Sequence, residues 1–77
     1  MLQEKHSEDI FVKSIGEKIK SIRLSKGIKQ NEIAYRCNFD KSSYNNIEAG
    51  KRNVAIITLY KIAKALNVSI NSFFEDI

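Results

Sequence analysis

Lys41, Ser42, Ser43, Asn45 and Asn46 place an ammonium, two hydroxyls and two carboxamides within six consecutive residues. None of these groups is a nucleophile poised beside a base; together they are donors and acceptors of the kind that match the edges of nucleic-acid bases. A lysine donates to guanine O6 or N7, an asparagine bonds adenine at N6 and N7, and a serine serves either partner. Gln30 lies upstream, and Lys51, Arg52 and Asn53 follow downstream. Two adjacent cations ordinarily mark solvated surface, but beside a base-reading element they make a phosphate clamp. Covalent chemistry is not in view. One histidine and one cysteine, without a glycine-rich phosphate loop or paired carboxylates, do not assemble nucleophile, base and orienter. His6 has no second ligand at metal-binding spacing and reads as a surface residue. The expectation is therefore a non-enzyme with no cofactor and no metal.

These side chains need a helix that begins just before them. Asp40 can accept from the backbone N–H of Ser42 or Ser43, and Phe39 can pack on Tyr44 as a hydrophobic staple. A helix over 41–49 follows, with Tyr44 and Ile47 facing inward at a spacing of three. Ahead of it, Ile28 can staple to Ile33, and Glu32 stands where a capping box puts its carboxylate, although Lys29 is a poor cap. Asn38 falls where the chain must leave this earlier helix, and asparagine tolerates the left-handed conformation such a stop requires. Two short helices joined by a tight turn make a helix-turn-helix, which is the organising element.

The rest of the chain supplies its support. Phe11, Ile15, Ile19 and Ile22 recur at steps of four, four and three, predicting a helix over 10–26 that Gly27 ends. Gly16 inside it is unfavourable by about 1 kcal/mol against alanine and implies that another helix passes close. Residues 1–9 read as a polar segment, frayed at its start, in which Ser7 or Asp9 can cap the helix that follows. A fourth helix over 56–66 shows a core stripe of Leu59, Ile62, Ala63 and Leu66, stopped by Asn67. Ser69 caps a last helix carrying Ile70, Phe73, Phe74 and Ile77. Either both phenylalanines close the core or part of this apolar surface meets a partner.

With 77 residues there is room for one domain. A hydrophobic fraction of 43% is too high for a disordered chain. The net charge of +4 is unevenly spread: residues 1–27 carry six basic and four acidic groups, 28–53 five and three, and 54–77 two and two. The excess is shared equally by residues 1–27 and 28–53, the two thirds of the chain that contain the polar helix. The single Cys37 cannot form an internal disulfide and shares a face with Ile33 and Ala34, so it reads as a small buried thiol rather than a redox switch. Without a signal peptide or long apolar run, the expectation is a cytoplasmic protein with no membrane contact.

Four segments carry a resemblance. Ile15, Gly16, Glu17, Lys18, Ile19 through Arg23; Gly27, Ile28, Lys29, Gln30; Ile47, Glu48, Ala49, Gly50 through Asn53; and Leu59, Tyr60, Lys61, Ile62, Ala63 through Val68 look like the XRE/Cro/C1-type bacterial and phage regulators. The likeness covers about 15–74. It implies an all-α, five-helix, lambda-repressor-like DNA-binding domain over 10–77 with a central helix-turn-helix. It also implies sequence-specific transcriptional regulation by a homodimer on a palindromic operator. By position, Lys41, Ser42 and Asn46, with Asn45 close behind, become readers of bases in double-stranded DNA. Gln30, Ser43, Lys51, Arg52 and Asn53 become backbone contacts, Gln30 also bracing the third helix. Tyr44 stands where the family usually has an aliphatic residue, so its hydroxyl is expected to reach solvent or a phosphate. Arg23 is expected to pair with Glu48.

Val54 replaces a common proline, Ala55 a common cap and Ile57 a common acid, leaving the start of the fourth helix poorly marked. Ile57, Ile70, Phe74 and Ile77 are the expected dimer contacts. No small-molecule effector domain is expected. Among such regulators the chain looks most like the controller proteins of restriction-modification systems, with a phage-type repressor nearly the same in appearance. An antitoxin or other interaction module with secondary DNA binding is the alternative from a different class.

Overall fold

A computed structural model describes the backbone of residues 2–76 and the side chains of residues 7–76. The side chain of His6, and Ile77 entirely, lie outside the described residues. Four α-helices, α1 (Leu2–Ser25), α2 (Gln30–Cys37), α3 (Lys41–Glu48) and α4 (Ile56–Leu66), are followed by a short 3-10 helix (Ile70–Phe74). Strands are absent among the described residues.

All four α-helices stop in the same way. A left-handed residue follows each, Gly27, Asn38, Gly50 and Asn67, with φ of 69°, 61°, 71° and 60°. The next N–H then donates back five residues: Ile28 to Arg23 O at 3.2 Å, Phe39 to Ala34 O at 2.8 Å, Lys51 to Asn46 O at 3.0 Å and Val68 to Ala63 O at 3.0 Å. This closure satisfies carbonyls that the helix end would otherwise leave orphaned, and it turns the chain sharply. The starts are less uniform. Asp40 caps α3 by accepting from the Ser43 N–H at 2.7 Å, whereas Lys29 and Ala55 offer no side-chain cap to α2 and α4.

Three expectations change. The first helix begins at Leu2 instead of Ile10; Leu, Gln, Glu and Lys in that stretch are strong helix formers with no proline or glycine to interrupt them. The capping box of α2 does not form, because the Glu32 carboxylate turns to Arg36 one turn on. The fifth helix is a 3-10 helix, tightened by Ser69, whose Oγ accepts from Asn71 N–H at 3.3 Å and whose carbonyl accepts from Ser72 N–H at 2.9 Å. Glu75 leaves in extended backbone and Asp76 is left-handed, so no further turn can be added.

The core joins Ile15 and Ile19 of α1, Ile33, Ala34 and Cys37 of α2, Tyr44 and Ile47 of α3, four residues of α4, and Phe73. Helix α3 packs on α1 and α2, α2 on α4, and the 3-10 helix on α1 and α4. Gly16 lets α3 approach: a Cβ there would sit 2.5 Å from Ile47 O and 2.6 Å from Glu48 O. The apolar stripe of α1 is incomplete at its outer end, where Phe11 remains 47% exposed and stacks on Phe74 with ring centroids 6.5 Å apart.

Candidate nucleic-acid interface

Helix α3 is held by its rear and free at its front. Tyr44, Ile47 and Glu48 are buried, while Lys41, Ser42 and Asn45 are exposed and Ser43 and Asn46 half-buried. The exposed residues lie at the first turn and one turn further along, on the side away from the core. A helix presented in this way can enter a groove with its opening residues against base edges.

The rear anchorage is a buried polar network. Arg23 Nε donates to Glu48 Oε2 at 2.6 Å and Nη2 to Oε1 at 3.1 Å, while Nη1 donates to Ile28 O at 2.7 Å. Tyr44 Oη donates to Glu48 Oε2, and Gln30 Nε2 to Glu48 Oε1 at 2.9 Å. Glu48 thus accepts four hydrogen bonds, two on each oxygen, from α1, α2 and its own helix. Among the described residues no buried side-chain polar atom lacks a partner. A buried ion pair with every lone pair filled fixes orientation more than it adds stability, since desolvation offsets most of the Coulomb attraction.

The protonation states follow from these contacts. Burial alone would raise the Glu48 carboxyl, but hydrogen bonds from Arg23, Tyr44 and Gln30 outweigh it and hold the group below the ordinary carboxylate range. Burial, reinforced by the bond to Glu48, pushes the Tyr44 hydroxyl far up, so it stays a neutral donor. At the front of α3, the Ser43 side chain and then its backbone N–H hold the Asp40 carboxyl low, with Arg52 adding a Coulombic contribution. Burial raises the Cys37 thiol, which favours the unreactive form.

Several expected site residues land differently. Tyr44 reaches neither solvent nor phosphate: its ring is fully buried and its hydroxyl is taken by Glu48. The i, i+4 spacing of Tyr44 and Glu48 is the signal that points to this pair. Gln30 has both amide hydrogens engaged, one on Glu48 and one on Asn45 Oδ1 at 3.2 Å. In this structure the side chain braces α3 against α2 and leaves no amide hydrogen free. Ser42 Oγ donates to Asp40 Oδ1 at 3.3 Å, leaving its oxygen outward as an acceptor. Lys51, Arg52 and Asn53 are exposed on the loop after α3, and Arg52 shares a small cleft with Asp40 and Ser43.

Arg36 Nη1 donates to Ala65 O at 2.9 Å and ties α2 to α4. Of the expected dimer contacts, Ile57 is 61% and Phe74 39% exposed, whereas Ile70 packs largely against its own core. Ile56 and Tyr60, not singled out from the sequence, are exposed beside Ile57. A groove of about 500 Å³ between Phe11, Val12, Ile15, Val54, Leu59 and Phe74 adjoins the stacked phenylalanines. Among the described residues no group of three or more His, Cys, Asp or Glu could hold a metal, and no helix is long and apolar enough to cross a membrane.

An anchored helix with a free polar front, reached through a tight turn from the helix before it, defines the helix-turn-helix class, and the helix-turn-helix family pattern matches residues 19–73. The chain belongs to this family, in its XRE-type branch. Within it, the chain is similar to the control protein C.MunI of Mycoplasma sp, 36% identical over 63 residues that span 80% of this chain and 85% of the relative. The solved restriction-modification controller protein C.AhdI from Aeromonas hydrophila superposes with a TM-score of 0.79 at 28% identity, over 82% of this chain and 96% of that one. The controller protein C.Esp1396I, solved as a tetramer in complex with its natural 35-base-pair operator, superposes with a TM-score of 0.77 at 40% identity, over 84% and 86%.

Proposed function

We propose that this chain is a sequence-specific transcriptional regulator that binds a palindromic operator as a homodimer and serves as a controller protein of a restriction-modification system. The observation that carries the reading is the exposure of Lys41, Ser42 and Asn45 at the free end of α3, while Glu48 fixes the other end to α1 and α2. Lys41, Ser42 and Asn45 read bases, with half-buried Asn46 beside them. Ser43, Lys51, Arg52 and Asn53 hold the phosphates, aided by the backbone amides at the start of α2. The DNA-binding unit is 10–77, with the turns before Ile10 prolonging α1. Its place of work is the cytoplasm, and it needs no cofactor for binding.

A second copy of the chain covers the exposed Ile56, Ile57, Tyr60 and Phe74. A two-fold dimer then sets the two α3 helices about 34 Å apart, one turn of DNA. Selection from random duplexes tests this. The expected result is an inverted repeat bound by two copies, with Ile57→Asp lowering the affinity and yielding monomers in sedimentation. Binding that shows no sequence preference at low salt, or a single non-repeated site bound by one copy, overturns it.

A further inference from the structure

The Glu48 carboxylate is ionised and accepts only, being paired with the Arg23 guanidinium through both oxygens. Gln30 must therefore turn its amide nitrogen, not its oxygen, toward Glu48 Oε1. That nitrogen has two hydrogens, and the second points at Asn45. Asn45 must answer with its oxygen, at 3.2 Å. Each amide orientation in the series is dictated by the one before it, back to the buried arginine. The exposed end of Asn45 is consequently its Nδ2 group, which has no hydrogen-bond acceptor among the described residues.

An adenine pair needs the asparagine oxygen and nitrogen side by side against N6 and N7, whereas guanine offers two acceptors, O6 and N7, on the same edge. With Oδ1 held back toward α2, Asn45 has donors to give. Lys41, four residues earlier on the same face, also has only donors. We infer that Asn45 is a specificity residue with fixed polarity, reading a guanine in each half-site, and that Gln30 is the positioning residue that sets this polarity. The inference rests on the DNA-binding reading above.

Selections from random duplexes with the wild-type chain and with Asn45→Ala locate the base pair that Asn45 reads, as the position whose preference disappears. Guanine is expected there, favoured over adenine by roughly 5- to 150-fold. Asn45→Asp, of the same shape but with acceptors only, loses the guanine preference. Gln30→Leu, checked for folding by thermal melting, frees Oδ1 and admits adenine at that one position while the others keep their preference. That selective change is not expected from a merely structural Gln30, whose loss would weaken every position together. A wild-type site with any other base at the Asn45 position overturns this inference alone, whereas one with no position sensitive to Asn45 overturns it together with the base-reading role given to Asn45 above. A Gln30→Leu variant that still excludes adenine overturns the part assigned to Gln30, and a wild-type chain with no sequence preference overturns both readings.

Discussion

The hydroxyl of Tyr44 donates to the carboxylate of Glu48 one helical turn further on, and both residues lie in the interior. Removing the donor leaves Oε2 with Arg23 alone. Tyr44→Phe is expected to lower stability by about 1.5–3 kcal/mol, the range for hydrogen bonds to charged groups. Breaking the ion pair from one side strands a buried charge, so Arg23→Met should lower it by about 3–5 kcal/mol, with much of this recovered when Glu48 is replaced by leucine as well. Urea unfolding of the three variants measures the differences. A Tyr44→Phe variant as stable as the parent would refute the proposed tension between burial and pairing.

Acid should unfold the protein through two carboxylates. Glu48 and Asp40 are both held below their ordinary range in the fold, the first by the hydrogen bonds that overcome its burial and the second mainly by Ser43. A depressed folded value means that the unfolded chain binds the proton more readily. The stability they contribute is therefore complete above the unfolded values near about pH 4 and is lost as the pH falls through the folded ones. Unfolding curves should change little on their account between about pH 5 and 8 and weaken below about pH 4. In Glu48→Gln the acid limb should be shallower.

Gly16→Ala pits helix propensity against space. Alanine is favoured inside a helix by about 1 kcal/mol, but its methyl would stand 2.5 Å from the Ile47 carbonyl oxygen and 2.6 Å from that of Glu48. Those atoms are backbone and cannot rotate aside. The substitution is expected to destabilise by about 1–3 kcal/mol, as overpacking does, and thermal melting would show it; a rise in melting temperature would mean that α1 and α3 can part freely.

Phosphate and base contacts should separate by salt and by sequence. Arg52→Ala is expected to weaken operator and random DNA alike and to reduce the slope of log affinity against log salt by about 1. Asn45→Ala should lose about 1–3 kcal/mol on the operator and little on random DNA. Titrations on both duplexes at several salt concentrations distinguish them.

Local signals were strongest where one residue decides a conformation. Asp40 as cap, Asn38 and Asn67 as left-handed stops, and Gly16 as a point of close approach were all legible because each rests on a single side chain or its lack. The start of α1 was not, since Ser7 and Asp9 look like caps and yet sit inside a run that nothing interrupts. The fate of Gln30 was hidden for another reason: its partners, Asn45 and Glu48, lie on a different helix 15 and 18 residues on. Hydrogen-bond saturation of Glu48 is a property of the assembled network, and no window of sequence contains it. Glu32 shows the same competition at short range, since a capping site and an arginine one turn away both suit it.

The contact of α3 with Gly16 bears on how the protein and its target accommodate each other. Because main-chain oxygens press directly on the first helix with no side chain between them, the probing helix is mounted like a cantilever, clamped at one end with no cushion to slide on. Tilting it toward an ill-fitting groove would break that contact, so the accommodation is expected from the duplex, through its own sequence-dependent bending and twisting.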